Sequence, residues 1–326
     1  MTREFGFNPK YAYIVSACKK YIPELNALLN SLDYVGNKYS VHVWEYGIPK
    51  DLLDKWASSF DYPVFIHEIT EPEAREYGGE GEILCRKRYW YAGEVGKTYN
   101  AICVLDADMV FVRNPEQYFT IAEKTGFILG ASKEQNKVYD HEHHTVGGKF
   151  IIEKGYYNRF DICNCPLFID ARIWEKALKR SWDIFTEGYP NTNFKAPDMD
   201  ALSVCLIEAG SEDKTIIMAA LMWLGTNEQH LKPYIRAIEN RGLIQTESGI
   251  PIFSYHGQYY KANWRKCQLA NRHYCAEHYL KTTENPDAMA AGAMNLLYGY
   301  FKKMCFEHKV TIPKLNYVHP ELPYEE

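Results

Sequence analysis

The sequence predicts an α/β protein built on a doubly wound, mostly parallel sheet with flanking helices. Apolar segments alternate with stretches of helical periodicity across residues 11–106, and the loops between them are short. The apolar run at 101–105 ends in two aspartates, Asp106 and Asp108, that are separated by one residue. Ligands of such sheets bind at the carboxyl ends of the parallel strands. The two aspartates therefore mark the expected ligand site.

The individual elements follow from apolar spacing and from residues that begin or end helices. An apolar run at 11–17 predicts a buried strand, and Ile22-Pro23-Glu24 then places proline at a helix start. Leucines at helical spacing continue this helix, and Gly36 is suited to end it. Further strands are predicted at 41–45, 63–67, 101–106, 165–169 and 252–255, and further helices at 51–60, 83–95, 171–180 and 198–209.

Composition excludes several classes of protein. The chain has 326 residues, 46% of them hydrophobic, which is enough for a sizeable core. A net charge of −5 gives no overall basic field that would recruit nucleic acid or acidic membranes. The longest apolar run, at 216–224, is shorter than the roughly 20 residues that span a bilayer. Nine scattered cysteines and an N-terminus without an apolar signal segment favour a reduced, cytoplasmic protein.

The spacing of the two aspartates has a chemical consequence. In an extended chain alternate side chains point to the same side, which predicts that Asp106 and Asp108 lie together. Neighbouring carboxylates repel each other unless a cation compensates their charge. Oxygen ligands favour Mg²⁺ or Mn²⁺, and the natural companion of such an ion is a diphosphate.

The segment Val104–Pro115 resembles the Asp-x-Asp segment of GT-A-fold nucleotide-sugar glycosyltransferases. The resemblance is greatest to family 8, whose members retain the anomeric configuration. Three other segments, one before and two after this one, occur in the order of that family. The residues at 86–88 resemble its basic helix, those at 198–202 its Asp-Gln-Asp-x-Leu segment, and those at 255–264 its late His-x-x-Gly-x-x-Lys-Pro-Trp segment. Met199 stands at the family's glutamine, and His256 directly precedes Gly257.

This resemblance implies a metal-dependent enzyme that moves a sugar from a nucleoside diphosphate sugar, expected to be a UDP-sugar, with retention. The ion is expected to be Mn²⁺ or Mg²⁺, and the residues implied as its ligands are Asp106, Asp108 and His256. The residues implied in binding the donor are Ser16, Ala17, Arg86, Arg88, Asp106, Gly257 and Lys261. Arg88 shares a helical face with Leu84, so it is expected to point inward. Asp198 and Asp200 are implied to bracket the sugar as the catalytic residues, either as an acid and a nucleophile or, in a front-face reaction, as groups that hold sugar hydroxyls.

The resemblance also suggests how the chain is divided. Residues 1–264 are expected to form a GT-A catalytic domain. Its nucleotide-sugar half covers about 1–115, and its acceptor half covers about 116–264. Beyond this domain, the composition and apolar residues at helical spacing predict a helical C-terminal extension and tail over 265–326.

Several motifs also have a purely structural interpretation. Asp198 follows a proline and suits a helix N-cap, where an acid complements the helix dipole. The basic residues at 86–88 suit a solvated helix face, and His256 suits a hydrogen-bonded core position. The His-rich segment Asp140–His144 lies in a long polar loop at 133–154, which suits a solvated lid better than a second metal site. Scattered cysteines and histidines at 267–278 match no common zinc module.

Three functional hypotheses remain open at this point. The first is the glycosyltransferase, whose acceptor is a glycan, a protein or a nucleic acid base of the kind that viral enzymes modify. The second is a sugar-phosphate nucleotidyltransferase, which the sequence Ser16-Ala17-Cys18-Lys19-Lys20 disfavours because it lacks the glycine-rich loop of that class. The third is a degenerate protein that binds a nucleotide sugar without turnover. The sequence makes no prediction of oligomeric state.

Overall fold

Ten strands and six helices make up the described part of the chain. A computed structural model describes residues 10–70, 82–107, 109–111, 114–131, 163–188, 197–211, 214–217, 223–224 and 254–256. The strands are β1 (Tyr11–Cys18), β2 (Ser40–Tyr46), β3 (Val64–Glu68), β4 (Ala101–Asp106), β5 (Met109–Phe111), β6 (Ile128–Ala131), β7 (Cys163–Ile169), β8 (Thr215–Ile217), β9 (Trp223–Leu224) and β10 (Ser254–His256). The helices are α1 (Ile22–Tyr34), α2 (Lys50–Ser59), α3 (Glu82–Gly96), α4 (Glu116–Thr125), α5 (Ala171–Gly188) and α6 (Pro197–Glu208).

The main sheet has seven strands in the order β3-β2-β1-β4-β7-β6-β8. Strands β3, β2, β1 and β4 are parallel neighbours. Strand β7 runs antiparallel to both β4 and β6, and β6 pairs in parallel with β8. A second sheet of three strands has the order β5-β10-β9. The predicted doubly wound, mostly parallel α/β sheet is confirmed.

Helices cover both faces of the main sheet, and the alternation of side chains along β1 divides the core in two. Tyr11, Tyr13 and Val15 pack into one cluster with buried residues of α1, α2 and α4. Ala12 and Ile14 pack into the other cluster with buried residues of α3, α5 and α6. Alternation with a period of two places successive residues on opposite faces. Both faces of β1 are therefore apolar, as expected for a central parallel strand.

Helix α1 follows from local sequence as predicted. Pro23 lies in its first turn, and its four leucines are fully buried. The helix ends at Tyr34, and Gly36 then adopts a φ of 75°, a left-handed conformation that glycine tolerates without a steric penalty. The amide of Asn37 donates to the carbonyl of Leu32 at 3.0 Å, which satisfies a carbonyl of the last turn.

The chain around the two aspartates is not one extended strand. Strand β4 ends at Asp106, Ala107 lies in a turn, and Met109 begins β5 in the second sheet. The two aspartates therefore do not share one strand, and their projection to the same side stays a prediction. The turn carries the chain from the main sheet into the second sheet. Asp108 itself lies outside the described residues.

Other predicted features also lie outside the described residues. These are the loop at 133–154, the scattered cysteines and histidines at 267–278, and the extension at 265–326. The proposed division into domains therefore stays a prediction. Among the helices that are described, none combines the length and the apolar character needed to cross a membrane.

Helices α3 and α5 approach each other closely because α3 presents two glycines. A Cβ at Gly93 would lie 2.9 Å from Lys179 Cγ and 3.4 Å from the carbonyl of Glu175. A Cβ at Gly96 would overlap the Cβ of Ala171 and come within 3.0 Å of Ile102 Cδ1. This packing fixes α3, which carries Arg88, against the rest of the helical layer.

The two glycines provide a matched pair of substitutions. We expect Gly96→Ala to lower the free energy of unfolding by about 1–3 kcal/mol, because Ala171 and Ile102 cannot move aside without disturbing the core. Gly93→Ala should cost less than Gly96→Ala, because Lys179 can change its rotamer more easily than the core residues can move, and alanine is the better helix former. Urea denaturation of both variants measures the difference. Equal effects of the two substitutions would contradict this account of the helix contact.

A chain of polar side-chain contacts joins β2 and β3 to Tyr99, which lies in the connection between α3 and β4. His42 Nδ1 lies 2.9 Å from His67 Nε2, and His42 Nε2 lies 2.8 Å from the hydroxyl of Tyr99. The hydroxyl of Ser40 donates to that of Tyr99 at 3.1 Å. Burial, together with the neighbouring His67, lowers the pKa of His42 to about 3. Burial also lowers the pKa of His67.

These depressed pKa values make folding sensitive to acid. The ordinary pKa of histidine is 6.5, so His42 becomes protonated below that pH in the unfolded chain. In the folded protein His42 stays neutral down to about pH 3, so acid favours the unfolded state. Stability is therefore expected to fall with decreasing pH over this window. Between pH 6.5 and 5, the free energy of unfolding of His42→Gln should fall less than that of the natural protein, by at most about 1.4 kcal/mol per pH unit.

Urea denaturation at several pH values tests this expectation. Ser40→Ala is the matched control, because it shortens the same polar chain without removing a titrating group. It should change stability by a similar amount at every pH. If His42→Gln and the natural protein lose stability in parallel between pH 6.5 and 5, His42 does not titrate as described.

Candidate functional site

Four residues form a row across the carboxyl ends of the parallel strands. His67 on β3 is the pairing partner of Trp44 on β2, Trp44 that of Ser16 on β1, and Ser16 that of Asp106 on β4. Paired residues of neighbouring strands point to the same face of a sheet. We call His67, Trp44, Ser16 and Asp106 the strand-end row. Helix α3 lies over this row, on the sheet face that α5 and α6 also cover.

Arg88 on α3 forms an ion pair with Asp106. Arg88 is only 6% exposed, and Leu84, four residues earlier on the same helical face, is 1% exposed. The prediction that Arg88 points inward is therefore confirmed. The side chain of Asp106 keeps 21% of its surface exposed, so this carboxylate stands at the boundary between the core and solvent. Its role in binding a donor stays a prediction.

The other two basic residues of α3 have different surroundings. Lys87 Nζ lies 4.6 Å from the ring centroid of Trp90 and 5.4 Å from that of Trp182 on α5. Its ammonium group thus packs over aromatic rings between the two helices. Arg86 belongs to α3, but its side chain lies outside the described residues.

Ser16 and Ala17 lie near the end of β1, which continues through Cys18. They point to opposite faces of the sheet. Ser16 belongs to the strand-end row, whereas Ala17 packs in the cluster beneath α1 and α2. Ser16 Oγ is buried and has no hydrogen-bond partner in the described structure. A buried hydroxyl without a partner is unfavourable, so this atom is suited to receive a group from a ligand or a water molecule.

The second sheet brings the backbone of His256 beside the aspartate turn. Strand β10 pairs antiparallel with β5, and His256 is the partner of Met109. Met109 directly follows Asp108 in the sequence, and it lies three residues after Asp106. Segments about 150 residues apart therefore meet where β4 ends. The side chain of His256, with Asp108, Gly257 and Lys261, lies outside the described residues.

Asp198 and Asp200 belong to the first turn of α6, which begins at Pro197. Because the helix begins at Pro197, Asp198 lies inside its first turn and is not its N-cap, so that structural interpretation was wrong. The side chains of both aspartates lie outside the described residues, so their sugar-binding role stays a prediction. The body of α6, from Ala201 to Leu206, is buried on all sides. Helix α6 packs against α5 and α3. This packing holds the first turn of α6 in the same helical layer as Arg88.

The three predicted metal ligands, Asp106, Asp108 and His256, have side chains of the types that bind divalent cations. Two carboxylates and an imidazole supply the oxygen and nitrogen atoms that Mn²⁺ accepts. Asp106 is the one member of this set whose side chain the structure describes, and Arg88 already compensates part of its charge. Within the described ranges no group of three metal-ligating side chains occurs. The backbone pairing of His256 beside the turn is consistent with the set.

Sequence reasoning missed the aromatic part of the site. The ring of Trp44 stacks on that of His67, with centroids 4.3 Å apart and planes inclined by 15°. The other stacking partner of Trp44 is Tyr91 on α3, with centroids 4.0 Å apart and planes inclined by 9°. Tyr91 follows Arg88 by three residues, so the two side chains are neighbours on α3. The strand register that aligns these rings has no signal in local sequence.

Sequence comparison finds no relative of this chain. No family model matches it, and neither does any curated protein. Family 8 membership therefore stays a prediction.

Comparison with solved structures identifies the fold. The bifunctional glycosyltransferase WbbM, in its apo form, matches with a TM-score of 0.54 and 10% sequence identity. The match covers 77% of this chain but only 46% of WbbM. The galactosyltransferase LgtC, solved with donor and acceptor sugar analogues, matches with a TM-score of 0.51 and 12% identity, over 75% of this chain and 86% of LgtC. The chain therefore has the GT-A fold of these glycosyltransferases.

Proposed function

We propose that this protein is a metal-dependent glycosyltransferase that moves a sugar from a nucleoside diphosphate sugar to an acceptor. The observation that carries the proposal is the Arg88–Asp106 ion pair at the carboxyl end of β4. It lies in a GT-A fold, beside the buried hydroxyl of Ser16 and the strand that delivers His256. The sequence resemblance further supports a UDP-sugar as the donor and retention of the anomeric configuration.

The charges around the turn support a cation at this place. Asp106 and Asp108 together carry two negative charges, and the guanidinium of Arg88 compensates one of them. The remaining negative charge favours a cation, and a divalent ion would leave one positive charge. That surplus suits a diphosphate, which binds as an anion. Arg88 alone therefore does not remove the reason for a metal.

The proposed site gives the metal and the protein side chains separate tasks. Asp106, Asp108 and His256 would hold Mn²⁺ or Mg²⁺, which as a Lewis acid stabilises the negative charge that develops on the leaving diphosphate. Gly257 lets the backbone approach the phosphates, and Lys261 adds a positive charge to them. Ser16 Oγ hydrogen-bonds the nucleoside near the end of β1.

The remaining residues act on the sugar. Arg88 holds the Asp106 carboxylate and presents positive charge to the donor, while Asp198 and Asp200 hold sugar hydroxyls. In the retaining reaction the bond between the anomeric carbon and the phosphate oxygen breaks. The acceptor oxygen attacks the same face, and its proton passes to the departing phosphate oxygen.

Met199 favours a second candidate, a protein that binds a nucleotide sugar without turnover. The family that the sequence resembles has a glutamine at this position, and the thioether of methionine cannot donate the hydrogen bonds of an amide. This candidate predicts donor binding without product. Measurement of turnover separates it from the first.

A donor screen tests the proposed function. The full chain is incubated with Mn²⁺ and a panel of nucleoside diphosphate sugars, and release of the nucleoside diphosphate is measured. We expect one donor to be hydrolysed, chelation to abolish the activity, and Asp108→Asn to lower it by about 100-fold or more. Mass spectrometry of glycan, protein and DNA acceptors then identifies the product.

The control for this screen is Asp54→Asn, which removes an exposed carboxylate from α2. It should leave the activity unchanged. Full activity of Asp108→Asn in the presence of chelator would overturn the metal-dependent mechanism. Binding of a donor without hydrolysis or transfer would support the second candidate instead.

The ion pair itself makes a prediction about stability without metal. Asp106→Asn removes the charge that faces the buried guanidinium, so we expect unfolding to become easier by about 2–3 kcal/mol. Arg88→Met should cost less, because the partly exposed Asp106 can gain hydration. Urea denaturation of both variants and of the double variant gives the coupling between the two side chains. Additive effects would mean that the ion pair contributes nothing to stability.

A further inference from the structure

We propose that Trp44 and Tyr91 are positioning residues that set where Arg88 meets Asp106. The consequence for metal and donor binding rests on the proposed function. The contacts from which this role follows lie between described side chains. Neither the sequence motifs nor the proposed chemistry uses this aromatic stack.

Helix α3 has two points of contact with the strand-end row. Tyr91 stacks on Trp44 at 4.0 Å, and Arg88 pairs with Asp106. Tyr91 and Arg88 are three residues apart on α3, so one helical turn spans the interval between the two contacts. Trp44 and Asp106 are separated by β1, whose Ser16 is the pairing partner of both. Shifting or rotating α3 at either contact would therefore disturb the other.

Trp44 is itself held from its other side. His67 stacks on it at 4.3 Å, and His67 is fixed by the contact of 2.9 Å between its Nε2 and Nδ1 of His42. Three nearly parallel rings thus connect strand β3 to helix α3. Stacked aromatic rings resist tilting more than an aliphatic contact of the same area does, because their interaction depends on orientation. The sheet therefore controls both the distance and the tilt of α3 above Asp106.

The position of the Arg88 guanidinium determines which oxygen of Asp106 it holds. The ion pair is made through Oδ1 of Asp106. An arginine fixed at this oxygen orients the carboxylate. Groups that orient a metal-binding side chain typically change metal affinity by about 10–100-fold when they are removed. Loss of the Tyr91 ring is expected to have an effect near the lower end of that range.

The structural test needs neither metal nor donor. In ¹⁵N-labelled protein, the guanidinium resonances of Arg88, assigned with Arg88→Lys, report the buried ion pair through slow hydrogen exchange. We expect Tyr91→Phe, which keeps the ring, to retain these resonances, and Tyr91→Leu to lose them. Tyr62→Leu is the matched control. Tyr62 is 1% exposed, as Tyr91 is, and it stacks on Phe60 at 5.2 Å in the core cluster that α1, α2 and α4 cover.

The functional test measures Mn²⁺ binding and donor kinetics on the same variants. We expect Tyr91→Leu to weaken Mn²⁺ binding by about tenfold and to raise the donor KM, with Tyr91→Phe restoring both. Tyr62→Leu should lower the melting temperature while leaving Mn²⁺ affinity and KM unchanged. Circular dichroism confirms that each variant is folded. If Tyr91→Leu does not fold, Trp44→Leu makes the same test from the sheet side, with Trp44→Phe as its ring-keeping partner.

The two tests separate failure of this inference from failure of the proposed function. Unchanged Arg88 resonances in folded Tyr91→Leu or Trp44→Leu would overturn the positioning role, whatever the enzyme does. Altered resonances with unchanged Mn²⁺ affinity and KM would overturn the link to the site. If the natural protein binds no Mn²⁺, the proposed function fails, and the resonances of Arg88 still decide whether the stack positions it.

Discussion

The ion pair between Arg88 and Asp106 is the interaction on which the candidate site depends. A guanidinium that is almost completely buried needs a carboxylate, and a carboxylate at the end of a buried strand needs a cation. Each therefore makes the position of the other tolerable. The pair joins the helical layer to the sheet at the point where β4 leaves the core. Its partial exposure on the aspartate side allows the same group to face a ligand.

The sheet order explains why these groups meet. In the order β3-β2-β1-β4 the four parallel strands end at one edge, and one position from each strand contributes to the strand-end row. The opposite face of these strands packs against apolar residues of α1, α2 and α4, whereas the strand-end row lies on the face under α3. Close packing of α3 on α5 through Gly93 and Gly96 then keeps the helix near the sheet. The strand-end row therefore depends on tertiary packing: on the order of the strands, on the helices of the opposite face, and on the contact between α3 and α5.

Local patterns were sufficient for the parallel half of the fold and for one site residue. Strand β1 and helix α1 have strong apolar periodicity, and Arg88 could be oriented because it shares a helical face with Leu84. Helix α4 was missed because only three of its residues are buried, although Pro115 and the left-handed Gly126 mark its two ends. Strands β8 and β9 have three and two residues, too few to define a period.

The rest of the site could not be predicted because it depends on register between segments that are distant in sequence. A residue pattern shows which face of β2 Trp44 occupies, but not that Ser16 and His67 will flank it. Pairing of His256 with Met109 likewise depends on how β10 returns to the second sheet. The turn after Asp106 illustrates the same limit. The spacing of the aspartates suits an extended strand, yet Ala107 lies in a turn, and Met109 and Phe111 of β5 are fully buried in the core cluster that α1 covers. Burial of these two apolar side chains thus directs the chain out of the main sheet immediately after Asp106. Asp106 is the last residue of β4, so the main sheet positions this aspartate and its ion pair with Arg88 but not the residues that follow.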